Sequence, residues 1–137
     1  NNNFLLETKA DILFSYGYTE EATKFYKKNL KKYPLNYYAQ IRIFENKDIK
    51  SLSVSDTEMI FQNNKDLLYK FYNNKNVLLK YFELARKLNK KEWLQFFNFY
   101  LSINNIDKEV FDMEIKKFKN TKDSDLLKLV NIIQNVN

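Results

Sequence analysis

The chain has 137 residues, enough for about one domain that buries roughly two thirds of the surface its unfolded form exposes. It has no Cys and no His, which excludes disulfides, thiolate nucleophiles, thiol or imidazole metal ligands and His general bases. One Gly and one Pro leave a strand-rich fold without its turn chemistry, so the expected class is all-α, a single domain over 1–137 built of antiparallel helical hairpins.

The formal net charge of +6 rests on 21 Lys against only 2 Arg. Lys, Asn, Phe and Tyr are residues of AT-rich codons, so the basic balance reads first as the imprint of an AT-rich genome. Scarce Arg, the residue that reads bases bidentately, argues against nucleic acid as the principal partner. The most apolar run, Trp93 to Ile103, is 11 residues long and broken by Gln95, Asn98 and Ser102, short of the ~20 that span a bilayer. No membrane span is expected and no signal peptide is visible in the given sequence; the compartment is left open, with the cytoplasm as the default. The chain does not begin with Met and reads as a piece of a longer protein.

In chain order, a first helix is expected from about Phe4 to Tyr16, with Leu5, Leu6, Lys9, Ala10, Ile12, Leu13 and Tyr16 near helical spacing. Gly17 would close it in the left-handed conformation, and Thr19 would cap the second helix, beside Glu20 and Glu21 at its positive end. That helix, to about Tyr33, would bury Ala22, Phe25, Tyr26, Asn29 or Leu30, and Tyr33. Its far face carries Lys24, Lys27, Lys28, Lys31 and Lys32, and Pro34 ends it. A third helix is expected over 35–46, followed by a polar connection from Lys47 to Val54. The sequence Ser55-Asp-Thr-Glu58 has the form of a capping box and predicts a helix over 55–72. A loop at Asn73 to Asn76 leads to a helix over 77–88, apolar on two faces and so expected to be central. A second capping box, Asn89-Lys-Lys-Glu92, opens a helix over 90–103 rich in Phe and Tyr, expected to be core rather than partner surface, with self-association left open. Helices over 108–118 and 124–133, with Asp107 and Asp123 as caps, complete the chain.

Leu6-x2-Lys9-Ala10-x2-Leu13, then Ala22-x3-Tyr26, Leu30 and Pro34, resembles a tetratricopeptide repeat over about residues 3–36. Lys9 and Leu13 depart from the pattern, and the next period places Ser51, Asp56 and Leu68 where Gly17, Ala22 and Pro34 should recur. The resemblance implies hairpins stacked as a TPR-like right-handed array, the other arrangement being an irregular helical bundle. It also implies a peptide-holding groove lined by Phe4, Glu7, Asp11, Phe14 and Ser15 and by Tyr38, Ile41 and Glu45. Members that clamp a C-terminal carboxylate carry Lys and Asn where this chain has Glu7 and Asp11, so the groove should favour a segment bearing Lys or Arg.

The carboxylates are scattered along the helices, mostly within reach of Lys, and one Gly cannot build a phosphate-cradling loop, so no catalytic, cofactor or metal site is expected. The expected function is a non-catalytic protein–protein interaction module, a scaffold or adaptor. The first alternative is a helical accessory domain of a larger enzyme. The second is a nucleic-acid-associated domain using Lys24, Lys28 and Lys31 as an anion face.

Overall fold

The computed structural model describes residues 2–103 and 105–136, with side chains described from Leu5 onward. The chain is all-α, with nine helices and no strand among the described residues. It divides into two compact units, Asn1–Lys50 and Ser51–Asn137, with the boundary inside the polar connection that follows the third helix. Ile49 in that connection is buried, and no strand forms there.

The first unit holds α1 (Asn2–Ser15), α2 (Thr19–Lys32) and α3 (Tyr37–Glu45). The α1–α2 turn is a Schellman motif: Tyr18 N–H donates to Leu13 O at 2.9 Å and Gly17 N–H to Phe14 O at 3.0 Å, with Gly17 at φ +86°. That positive φ is open to Gly and strained for most other residues. The cap of α2 differs from expectation. Tyr18, not Thr19, is the N-cap and offers no side-chain acceptor, because Thr19 already lies inside the first turn.

Ala10, Ala22 and Ala39 are all fully buried, one from each helix, and their small side chains let α2 pack closely against α1 on one side and α3 on the other. Leu13, Phe14, Phe25, Leu30 and Ile43 pack around them. Leu5, Ile12 and Tyr16, expected on the buried stripe of α1, are exposed, Tyr16 by 77 %. Because α1 is apolar around most of its circumference, periodicity does not single out a face, and the Ala10–Leu13–Phe14 side is the one that meets α2. Tyr33 is also exposed, since it lies beyond the last turn of α2 as its C-cap.

The second unit holds α4 (Val54–Asn63), α5 (Lys65–Lys70), α6 (Lys75–Lys87), α7 (Lys91–Ser102), α8 (Lys108–Phe118) and α9 (Ser124–Val136). The helix expected over 55–72 is two helices. At Asn64 the side-chain amide donates to Ile60 O at 2.8 Å, taking a carbonyl that a continuous helix would use and bending the chain. The cap of α4 is Ser53, whose Oγ accepts from Asp56 N–H at 3.0 Å, and not Ser55. Asn74, expected within a loop, caps α6 by accepting from Asn76 and Val77 N–H.

The second expected capping box also resolves differently. Asn89 stands at φ +54° and closes α6 in a second Schellman motif, with Lys90 N–H donating to Ala85 O at 2.9 Å and Asn89 N–H to Arg86 O at 3.1 Å. Asp107 and Asp123 do cap their helices: Asp107 accepts from Glu109 N–H, and Asp123 from Asp125 and Leu126 N–H. Each such cap is worth about 1 kcal/mol.

The core of this unit is aromatic. Trp93, Phe96 and Phe97 of α7 are buried, so the inner half of that helix is core. Phe61 stands edge-on to Tyr81 at 5.4 Å and to Trp93 at 5.0 Å between ring centroids. Trp93 Nε1 donates to the Asp123 carboxylate at 2.5 Å, so the indole's one donor is satisfied by the residue that caps α9. No helix among the described residues is long and apolar enough to cross a membrane.

Candidate functional site

The residues expected to line a groove fall on α1 and α3 of the first unit, and most of them meet in one polar and aromatic cluster. It is built from Asn36, the N-cap of α3, whose Oδ1 accepts from Ala39 N–H. Asn36 Nδ2 donates to the Glu7 carboxylate and to Asn29 Oδ1, the latter at 2.7 Å. A single amide thus ties the start of α3 to α1 and to the buried Asn29 of α2. Gln40 Nε2 fastens the same turn by donating to Pro34 O at 2.8 Å.

One turn further along, Asp11 Oδ1 accepts from the Tyr26 hydroxyl and from the Tyr38 hydroxyl, the latter at 2.9 Å. Arg42 Nε donates to the Tyr38 oxygen at 3.2 Å. A guanidinium has only donors, so Tyr38 must accept from Arg42 and pass its own proton toward Asp11. The Arg42 guanidinium lies 4.6 Å over the Phe14 ring and 5.3 Å over the Tyr38 ring, and its Nη1 donates to Glu45 Oε1 at 2.9 Å. Burial opposes the charge on Arg42, but the hydrogen bonds to Tyr38 and Glu45 outweigh it and hold its pKa above the ordinary value. Burial, followed by the hydrogen bond to Asp11, pushes the Tyr26 hydroxyl well above the usual tyrosine range.

The pairings Glu7 with Asn36, Asp11 with Tyr38 and Phe14 with Arg42 advance together along both helices, so α3 runs beside α1 in the same direction. Asp11 with Tyr26 and Glu7 with the Asn36–Asn29 pair run oppositely along α1 and α2, the mark of an antiparallel hairpin.

Of the expected groove residues, Glu7, Asp11, Phe14, Tyr38 and Glu45 belong to this cluster. Ile41 lies half-buried on α3 between them, and the Phe4 side chain lies outside the described residues. Ser15 is exposed and turned back to its own helix, donating to Ile12 O at 2.8 Å. The acidic side chains are engaged within the chain: Glu45 with Arg42, Glu7 with Asn36, Asp11 with two tyrosines. Sequence reasoning missed Arg42, Asn36 and Tyr26 as members. Arg42 had a visible signal, being one of two Arg among 23 cationic residues and placed four after Tyr38 and three before Glu45.

The lysine face lies apart from this cluster. Lys24, Lys28 and Lys31 are exposed, as are Lys27 and Lys32. In the second unit a cleft of about 410 Å³ opens between α7 and α8 over Phe99 and Phe118. Four of its polar side chains pair with one another, Thr121 with Glu92 and Lys117 with Glu114. Among the described residues no three Asp or Glu side chains converge as a metal ligand set.

Fold and site together define an all-α protein whose first three helices are locked by a surface-reaching network of carboxylates, tyrosines and one arginine. No protein-family model matches the sequence, and no curated protein or solved structure matches it.

Proposed function

We propose that the first unit is a TPR-like docking module, working without catalysis as a scaffold or adaptor that binds another protein or peptide through the α1–α3 surface. The observation that carries this reading is the Asp11–Tyr38–Arg42–Phe14 arrangement. Tyr and Arg dominate the energetically important positions of protein interfaces, and here both are held in place before any partner arrives. Tyr38 remains 42 % exposed although its hydroxyl is fixed from two sides.

The parallel course of α1 and α3 beside an antiparallel α2 supports the array implied by the sequence resemblance, in which successive first helices line one groove. Three carboxylates against one guanidinium leave the surface net acidic, which suits a partner segment bearing Lys or Arg.

The test is selection of 12-residue peptides from a random display library on the immobilised chain. The expected outcome is enrichment of sequences with Lys or Arg beside apolar anchors, and loss of at least tenfold in affinity on Tyr38→Ala and on Asp11→Asn. Enriched peptides without basic residues, or binding insensitive to both substitutions, would refute it.

A further inference from the structure

The far face of α2 has a chemistry that the docking surface does not use. Between Lys24 and Lys32 five lysines stand in nine residues with no acidic residue among them, and all five are exposed. Lys24, Lys28 and Lys31 follow i, i+4, i+7 spacing, a row about 10 Å long at 1.5 Å rise per residue. None of the five takes part in any of the ion pairs found among the described residues.

Acidic groups border the face at one end only, where Glu20 of the N-terminal turn and Asp48 of the connection after α3 share a shallow cleft with Lys24 and Lys27. At the other end of that region Lys47 is half-buried. Burial, then the charge of Lys27, holds its ammonium pKa below the ordinary value, so Lys47 stands within electrostatic reach of the α2 lysines.

From this we infer that the Lys24–Lys28–Lys31 face, with Lys27 and Lys32 at its flanks, is a sequence-blind seat for the phosphodiester backbone of a nucleic acid. A row of this length faces about three consecutive phosphates at ~3.4 Å per charge along a strand. Lysine serves as a point charge for phosphate, and the absence of Arg from the face leaves it without the fork that reads bases. Insertion into a lipid surface is disfavoured because the apolar side of α2, with Ala22 and Tyr26, is already buried within the first unit.

The experiment follows fluorescence anisotropy of a labelled, mixed-sequence, single-stranded 20-nucleotide DNA titrated with the whole chain between 25 and 200 mM salt. Two triple variants are compared, Lys24→Glu/Lys28→Glu/Lys31→Glu on α2 and Lys75→Glu/Lys91→Glu/Lys116→Glu at exposed positions of the second unit. Both bring the formal net charge from +6 to zero. The expected result is that the α2 variant weakens binding at least tenfold at low salt and lowers the slope of log Kobs against log salt by about 2, at ~0.7 for each phosphate no longer neutralised. The second-unit variant should weaken binding by less than threefold.

Equal weakening by both variants would overturn the inference in favour of whole-chain charge, as would no binding by the unaltered chain. Binding to phosphatidylserine vesicles in place of DNA would overturn it as well. Far-UV circular dichroism accompanies each titration. A triple Lys→Gln variant at 24, 28 and 31 gives the same reading, with a smaller loss, should charge reversal unfold α2.

Discussion

Replacing Phe61 should disable the second unit in a way that its only tryptophan reports. Phe61 is buried, touches Tyr81 and Trp93 edge-on, and carries the ammonium groups of Lys90 and Lys65 over its ring at 4.9 and 5.8 Å. Phe61→Ala removes the apolar volume and leaves a cavity, which costs about 3–5 kcal/mol. Phe61→Leu restores most of that volume and loses chiefly two aromatic pairs, each worth about 0.5–1.5 kcal/mol beyond burial, so about 1–3 kcal/mol is expected. At roughly 0.05–0.15 kcal/mol per residue this unit holds about 4–13 kcal/mol, so the alanine variant forfeits a large share of its stability and the leucine variant a smaller one. Trp93 is the only tryptophan and lies against Phe61, so its fluorescence during urea titration follows this unit alone. With a slope of about 1 kcal/mol per M, Phe61→Leu should lower the midpoint by ~1–3 M at unchanged slope. A shift of less than ~0.3 M would show that the Phe61–Tyr81–Trp93 packing does not hold α4, α6 and α7 together.

Two further perturbations test other parts of the structure. Burial raises the hydroxyl pKa of Tyr26, Tyr69, Tyr81 and Tyr100 above the ordinary 10.0, so the stability they supply is present below pH 10 and is lost as the pH rises beyond it, where the unfolded chain ionises first. Absorbance at 295 nm should therefore show a late cooperative phase coincident with loss of helical ellipticity, and full tyrosinate absorbance with the helices intact would contradict it. At Asn89, φ +54° favours a residue that tolerates the left-handed region. Asn89→Gly should stay within about 0.5 kcal/mol of the unaltered chain while Asn89→Val loses about 1–2 kcal/mol, and equal thermal midpoints for the two would refute the assigned turn.

The fold class was legible in the sequence because one Gly and one Pro cannot supply the turns of a sheet, and because Gly17, Asp107 and Asp123 act through the backbone groups next to them. Such local chemistry needs no knowledge of the rest of the chain. Glu7, Asp11, Phe14, Tyr38 and Glu45 were singled out together only through the tetratricopeptide resemblance; their i, i+4 and i, i+7 spacings are consistent with one side of each helix but do not say that the two sides meet.

Only the tertiary structure decided the rest. Asn89 and Asn64 suit a cap, a left-handed turn or a bend equally well, and the neighbouring helices select among these. Leu5, Ile12 and Tyr16 look as buried as Leu13 and Phe14 until α2 and α3 occupy one side of α1. Arg42 stands out in the sequence as one of two Arg, but the sequence does not give it Phe14 as a neighbour. Its environment exists only when Phe14 of α1 comes alongside α3, whose own turns bring Tyr38 and Glu45 to the guanidinium. Local propensity is written residue by residue, but the choice among equivalent apolar faces and the pairing of distant charges are collective, and they are settled when the helices pack.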